Sequence, residues 1–111
     1  DGWQPPSPTL ADEDPMYAEA LRNPAALYID DIETADPALV DVAYERKHFR
    51  HRALVHAPVY HEGRFYGVLE PSSMEKPRHW SERDRALIAA VQAKLGPVAA
   101  AFVRDDTAVR S

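Results

Sequence analysis

"RALVHAPVYHEGRFYGVLEP", residues 52–71, decides the fold: two apolar runs meet at a charged, glycine-bearing corner. In the first run Ala53, Val55, Ala57 and Val59 share one face by the two-residue repeat of a strand, and Leu54, His56, Pro58 and Tyr60 share the other. The first face reads as core and the second as mixed. Glu62-Gly63 supplies a tight turn, with glycine taking the positive φ that such corners usually demand. Phe65, Gly67 and Leu69 then alternate with Tyr66, Val68 and Glu70. The pattern predicts an antiparallel strand pair.

Downstream, "PSSMEKPRH" (71–79) reads as a loop, and Ser81 with Asp84 as a capping-box-like pair opening a helix. Leu87, Ile88, Val91, Leu95, Val98 and Phe102 follow at mostly helical steps, with alanines between them. Gly96-Pro97 predicts a kink or break, because proline deletes a backbone hydrogen bond and crowds the preceding turn. Residues 104–111 read as a frayed tail or linker.

Upstream, Asp14 as N-cap and Pro15 at the first helical position open a short helix that Asn23-Pro24 stops. "AALYIDDI" (25–32) reads as a strand, and Asp36-Pro37 as the start of a second helix through "ALVDVAYERKH". Six of the ten prolines lie in the first 37 residues, and "QPPSP" (4–8) cannot enter a helix interior or central strand, so residues 1–13 read as an extended lead-in, with Trp3 as a strand end or anchor. Helix, strand, helix, antiparallel pair and helix together define an α+β class: an antiparallel sheet with helices packed on it.

Composition narrows the function. The 111 residues fit one folded domain, with 45% hydrophobic and 28% charged residues. A formal charge of −5 argues against nucleic acid as a partner, since phosphate binding draws on clustered Lys and Arg. No apolar run is read as approaching the roughly 20 residues of a bilayer span, and no secretion-signal pattern opens the chain, which predicts a cytoplasmic protein without membrane contact. There is no cysteine, which excludes disulfides, thiolate metal sites, cysteine nucleophiles and thioether-attached chromophores.

The stretch from "HRALVHAPVYHEGRFYGVLEPSS" through "HWSERDRALIAAVQAKLGPVAAAF" resembles the C-terminal half of a GAF domain, a small-molecule sensor fold. The strand "LVHAPV", the turn "HEGR", Gly67-Val68-Leu69, Trp80-Ser81 and the helix "ERDRALIAAV" follow one another as in that family, and "ALYIDDIETADP" resembles its strand-plus-acidic segment. The resemblance covers about residues 25–103 and implies a GAF-like domain over 14–103 that lacks the family's first helix and strands. Such a chain is either a fragment or a shortened variant whose open sheet edge a second copy covers, which predicts a homodimer.

That resemblance implies a non-catalytic sensory or regulatory domain of signal transduction. Its pocket would lie between the mixed hairpin face and residues 28–51, with Tyr28, Asp30, Tyr44, His51, His56 and Tyr60 as ligand contacts. For each, a bland role stands beside the ligand role: a hydrogen-bonded core histidine for His56, a strand-end cap for Asp30 and Asp31, core filling for the tyrosines. His48-x-x-His51 has metal-ligand spacing on a helix but lacks a third ligand, and "ERKHFRHR" (45–52) reads as a solvated helix end before it reads as an anion site. No metal or cofactor is expected. No nucleophile, base and orienting group can be assembled, and the family's cysteine-dependent reductase activity has no residues here. The other reading is a ligand-free dimerisation module in which Leu87, Val91, Leu95, Val98 and Phe102 pack against their copies.

Overall fold

The computed structural model describes residues 9–110, and their side chains as far as 105. "QPPSP" and Trp3 lie outside the described residues. The elements run α1 (Leu10–Glu13), α2 (Pro15–Ala20), β1 (Leu27–Ile29), α3 (Val42–His48), β2 (Ala53–His61), β3 (Arg64–Leu69), β4 (Ser72–Ser73) and α4 (Glu82–Arg110). The α+β class and the antiparallel sheet are as the sequence implied.

β2 is the spine of the sheet. Antiparallel β1 lies along one side, with Leu27 opposite His56 and Ile29 opposite Leu54. β3 pairs with its far half, from Ala57 opposite Leu69 to His61 opposite Arg64, with an irregularity between Val59 and Tyr60. β4 continues along the near half, Ala53 facing Ser73. The turn is the one expected at Glu62-Gly63, and both residues hold positive φ, 51° and 78°. Two consecutive positive φ values give the hairpin the twist of its strands.

Both faces of β2 are buried, not one. Ala53, Val55 and Ala57 pack with Trp80 and Ile88 on the α4 side. Leu54 on the opposite face joins Met16, Ile29, Ile32 and Val40. The mixed face is therefore a second core layer at Leu54, and it becomes a pocket wall further along the strand.

Asp14 caps α2 as expected, accepting from the Met16 N–H at 3.0 Å, with Pro15 at the first helical position. Residues 10–13, expected to be extended, instead form the helical turn α1. The second helix starts later than Asp36-Pro37. Asp36 caps only a turn, accepting from the Ala38 N–H, and Val40 is drawn into the core before Asp41 caps α3 through the Tyr44 N–H at 3.0 Å.

The capping box at α4 forms in both directions: the Ser81 N–H donates to Asp84 Oδ2 at 3.0 Å, and the Asp84 N–H to Ser81 Oγ at 3.1 Å. The expected break at Gly96-Pro97 is absent, and the helix runs unbroken to Arg110 through the segment expected to fray. At Gly96 α4 passes close against the hairpin, where a side chain would strike the carbonyl oxygen of Tyr60. Pro97 lies on the exposed side next to it, where the carbonyl it leaves unbonded can turn to solvent. Gln92 fastens the same contact, donating to the Pro58 carbonyl at 2.8 Å.

α4 corrects one sequence expectation. Its alanine-rich stretch within Glu82–Asp105 reaches a mean hydropathy of 1.7, long and apolar enough to cross a membrane by length and composition. Ile88, Gly96 and Val103 face inward, while Leu87, Val98 and Phe102 stand 65%, 63% and 53% exposed. Four-residue and three-residue steps separate the two faces, so one helix serves the sheet and leaves an apolar outer stripe.

Candidate functional site

A pocket of about 320 Å³ opens between the hairpin and the N-terminal helices. Its floor is the hairpin: His56 from β2, and Phe65, Tyr66, Gly67 and Val68 from β3, with Glu70 just beyond the strand. α1 contributes Leu10, the start of α2 contributes Asp14 and Tyr17, and Phe49 enters from the end of α3. Phe65 anchors the aromatic wall, meeting Tyr17 edge-on at 5.7 Å and Tyr60 at 5.6 Å. Aromatic rings with a few convergent polar groups are the usual lining of a small-molecule site.

In the pocket wall at His56, and behind it at Glu45 and His51, buried polar atoms have no hydrogen-bond partner among the described residues. His56 is 4% exposed and its Nδ1 has no hydrogen-bond partner. Burial lowers its pKa to about 4, so the ring is neutral at pH 7. Glu45 on α3 is 1% exposed, and neither of its carboxylate oxygens is hydrogen-bonded. Burial, then the nearby carboxylates of Asp14, Glu70 and Asp41, push its pKa up to about 7. Glu70 is raised to about 7 by burial and by Asp14. Asp14 is raised by burial against the opposing pull of its cap hydrogen bonds. His51 Nδ1 stands 3.3 Å from Glu70 Oε1 and 3.8 Å from Glu45 Oε2, outside hydrogen-bond alignment, and burial lowers its pKa. The ring of His51 stacks on Phe49 at 5.6 Å.

Of the six sequence-proposed contacts, His56 lines this pocket and His51 stands behind it, between Glu45 and Glu70. Tyr60 borders the aromatic wall through Phe65, and its hydroxyl donates to the Ala20 carbonyl. Tyr44 packs on His48 at 4.4 Å, and burial, followed by Asp14, Glu13 and Glu45, raises its pKa. Tyr28 and Asp30 serve the other layer. Tyr28 donates to the Arg85 carbonyl at 3.3 Å under the Arg85 guanidinium, and Asp30 accepts from the Trp80 N–H at 3.2 Å and faces His79 Nδ1 at 3.0 Å.

Sequence reasoning missed Asp14, Tyr17, Glu45, Phe49, Phe65 and Glu70. Asp14 was absorbed by its capping role, which it also performs. Glu45 offered a signal, since it falls one turn after Asp41 on the face of α3 that must meet the sheet. Elsewhere, Arg52 is held by Asp31 through two contacts, 2.8 and 3.0 Å, and Arg46 by Glu33 at 3.0 Å, so two of the four Lys and Arg side chains of the basic run are paired with carboxylates. Among the described residues no group of three or more His, Asp or Glu side chains is placed to hold a metal ion.

A GAF domain model matches residues 1–96, and the chain belongs to the GAF domain family. Solved structures agree in fold. The photoproduct state of the third GAF domain of Slr1393 from Synechocystis sp. PCC6803 is 26% identical with a TM-score of 0.64, covering 98% of this chain and 63% of that one. The GAF domain of the cyanobacteriochrome TePixJ, 18% identical, superposes at 0.61 over 94% of this chain and 66% of its own. The far-red absorbing dark state of JSC1_58120g3 with bound biliverdin IXα, 20% identical, does so at 0.63 over 94% and 68%. The chain thus spans about two thirds of the length of these structures. No curated protein matches at a significant level.

Proposed function

We propose that this chain is a non-catalytic sensory domain of cytoplasmic signal transduction that binds a small molecule in the hairpin pocket and relays its occupancy through α4. The observation that carries the reading is His56: a nine-tenths buried imidazole whose Nδ1 has no partner among the described residues, set in the wall of an aromatic-lined pocket. A buried polar atom left unsatisfied costs about 1–3 kcal/mol, and a ligand that reaches it recovers part of that cost. The relay has a physical path, since Tyr60 touches both Phe65 in the pocket and, through its carbonyl, Gly96 of α4. Occupancy would bias one packing of α4 against the hairpin over another.

Biliverdin, which one structural neighbour binds, does not fit the residues present. The chain has no cysteine for a thioether link, and about 320 Å³ lies at the bottom of the roughly 300–1,000 Å³ range of ligand pockets, too little to bury an open-chain tetrapyrrole. The test is a thermal-shift screen of small metabolites on the parent chain and on His56→Leu. A saturable rise in melting temperature that His56→Leu abolishes supports the reading, and a hit unaffected by the substitution counts against this pocket.

A second reading, a ligand-free dimerisation module, is favoured by the exposed stripe of Leu87, Val98 and Phe102. There the stripe, with Val91 and Leu95 at its edge, packs on a second copy. Val98→Asp would set an unpaired charge in that seam. A parent dimer by light scattering and a folded monomeric variant support it; equal masses sink it.

A further inference from the structure

The pocket has a charge preference built into it. Two carboxylates, Asp14 and Glu70, stand in its lining, and a third, Glu45, is near enough that both raise its pKa; among the described residues no Lys or Arg lines the cavity. Among the described groups nearest these acids, the basic ones are His51 and His56, both of which burial disfavours in the charged form. The cluster therefore holds more negative capacity than the fold neutralises. Among the described residues, Glu45 behind the lining has two buried acceptor oxygens with no donor, and His56 in the lining has a buried ring nitrogen with no partner. Tyr17, Phe49 and Phe65 add ring faces and edges around the same space, and aromatic faces attract cations.

From this juxtaposition of unneutralised carboxylates, an unpartnered buried imidazole and aromatic walls, we infer that the ligand is a small organic cation bearing N–H donors, a primary ammonium or a guanidinium. The inference rests on the reading of this cavity as a ligand site and adds the ligand's chemical class. An ammonium placed against Glu70, with Asp14 beside it, adds a charged donor to the backbone N–H that already caps onto Asp14, and its charge replaces the protons that burial otherwise favours on these acids. A carboxylate or phosphate ligand would meet like charge at the same place. The volume suits a ligand of one ring or a short chain.

Three probes of one shape separate the possibilities: benzylammonium, benzyl alcohol and benzoate, titrated into the chain by calorimetry at pH 7.5. The expected result is saturable binding of benzylammonium at least about tenfold tighter than of the other two. Glu70→Gln, with a melting curve confirming its fold, removes that preference and leaves the weak binding of benzyl alcohol in place. Benzyl alcohol or benzoate binding as tightly as the amine overturns the cation inference while leaving the pocket a ligand site. No saturation by any of the three overturns both the inference and the assignment of the site.

Discussion

The indole N–H of Trp80 donates to the main-chain carbonyl of Ile29 at 3.0 Å, joining the loop before α4 to the end of β1. Trp80 is 3% exposed and packs with Ala53, Val55, Ala57 and Ile88. Trp80→Phe would keep much of the packing and leave the Ile29 carbonyl without this donor. We expect a loss of about 1–3 kcal/mol, from the unsatisfied acceptor and the smaller ring. Urea unfolding reads it as a lower midpoint at unchanged slope; a midpoint equal to the parent's contradicts it.

Gly96→Ala sets two effects against each other. Helix propensity favours alanine by about 1 kcal/mol. The new methyl, however, meets the Tyr60 carbonyl oxygen, a backbone atom that cannot swing aside. Sterics should win, at a net cost of about 1–3 kcal/mol. A melting temperature above the parent's would mean that α4 does not approach the hairpin this closely.

Glu45 makes stability depend on pH. Its folded pKa of about 7 lies above the ordinary 4.5, so the stability its neutral form permits is fully present below pH 4.5 and is lost as pH rises through 7. Asp14, Asp41 and Glu70 face it with like charge, and His51 is the nearby base. Glu45→Gln keeps the shape and removes the charge. It should stabilise by about 1–3 kcal/mol at pH 8 and by much less at pH 5. His56 works in the other direction: its folded pKa of about 4 lies below 6.5, so stability is present above 6.5 and lost as pH falls through 4. Equal effects of Glu45→Gln at both pH values would show that Glu45 is not buried as described.

Arg50, exposed at the end of α3, holds φ at +61° while its N–H donates to the Glu45 carbonyl at 2.7 Å. A side chain in this left-handed conformation costs about 1–2 kcal/mol, part of which glycine's greater unfolded-state entropy offsets. Arg50→Gly should stabilise by about 0.5–1 kcal/mol in a thermal melt. Destabilisation would assign the guanidinium a contact that outweighs the backbone relief.

The hairpin, the capping box at Ser81 and the α+β class were legible because each is written in local spacing. The later start of α3 was not, because two Asp residues each offer a cap, and the burial of Val40 chooses between them. The continuity of α4 through Gly96-Pro97 was hidden for a similar reason: local rules condemn the pair, and the tertiary approach to Tyr60 requires the glycine. In the candidate site, His56 was legible from strand alternation on the hairpin. Asp14, Glu45 and Glu70 were not, since carboxylates on three separate elements converge only when α2 and α3 close over the sheet.

The two-residue turn at Glu62-Gly63 also sets an order of events in time. β2 and β3 are joined by the shortest of connections, and hairpins of this kind form within about 1–10 μs. Joining β1 to β2 must first close the chain between Ile29 and Leu54, and that entropy grows with loop length. Loop closure therefore favours assembly of the wall bearing His56 and Phe65 ahead of β1, with α1 and α2 completing the cavity over it. A ligand would act as a latch on that last closure.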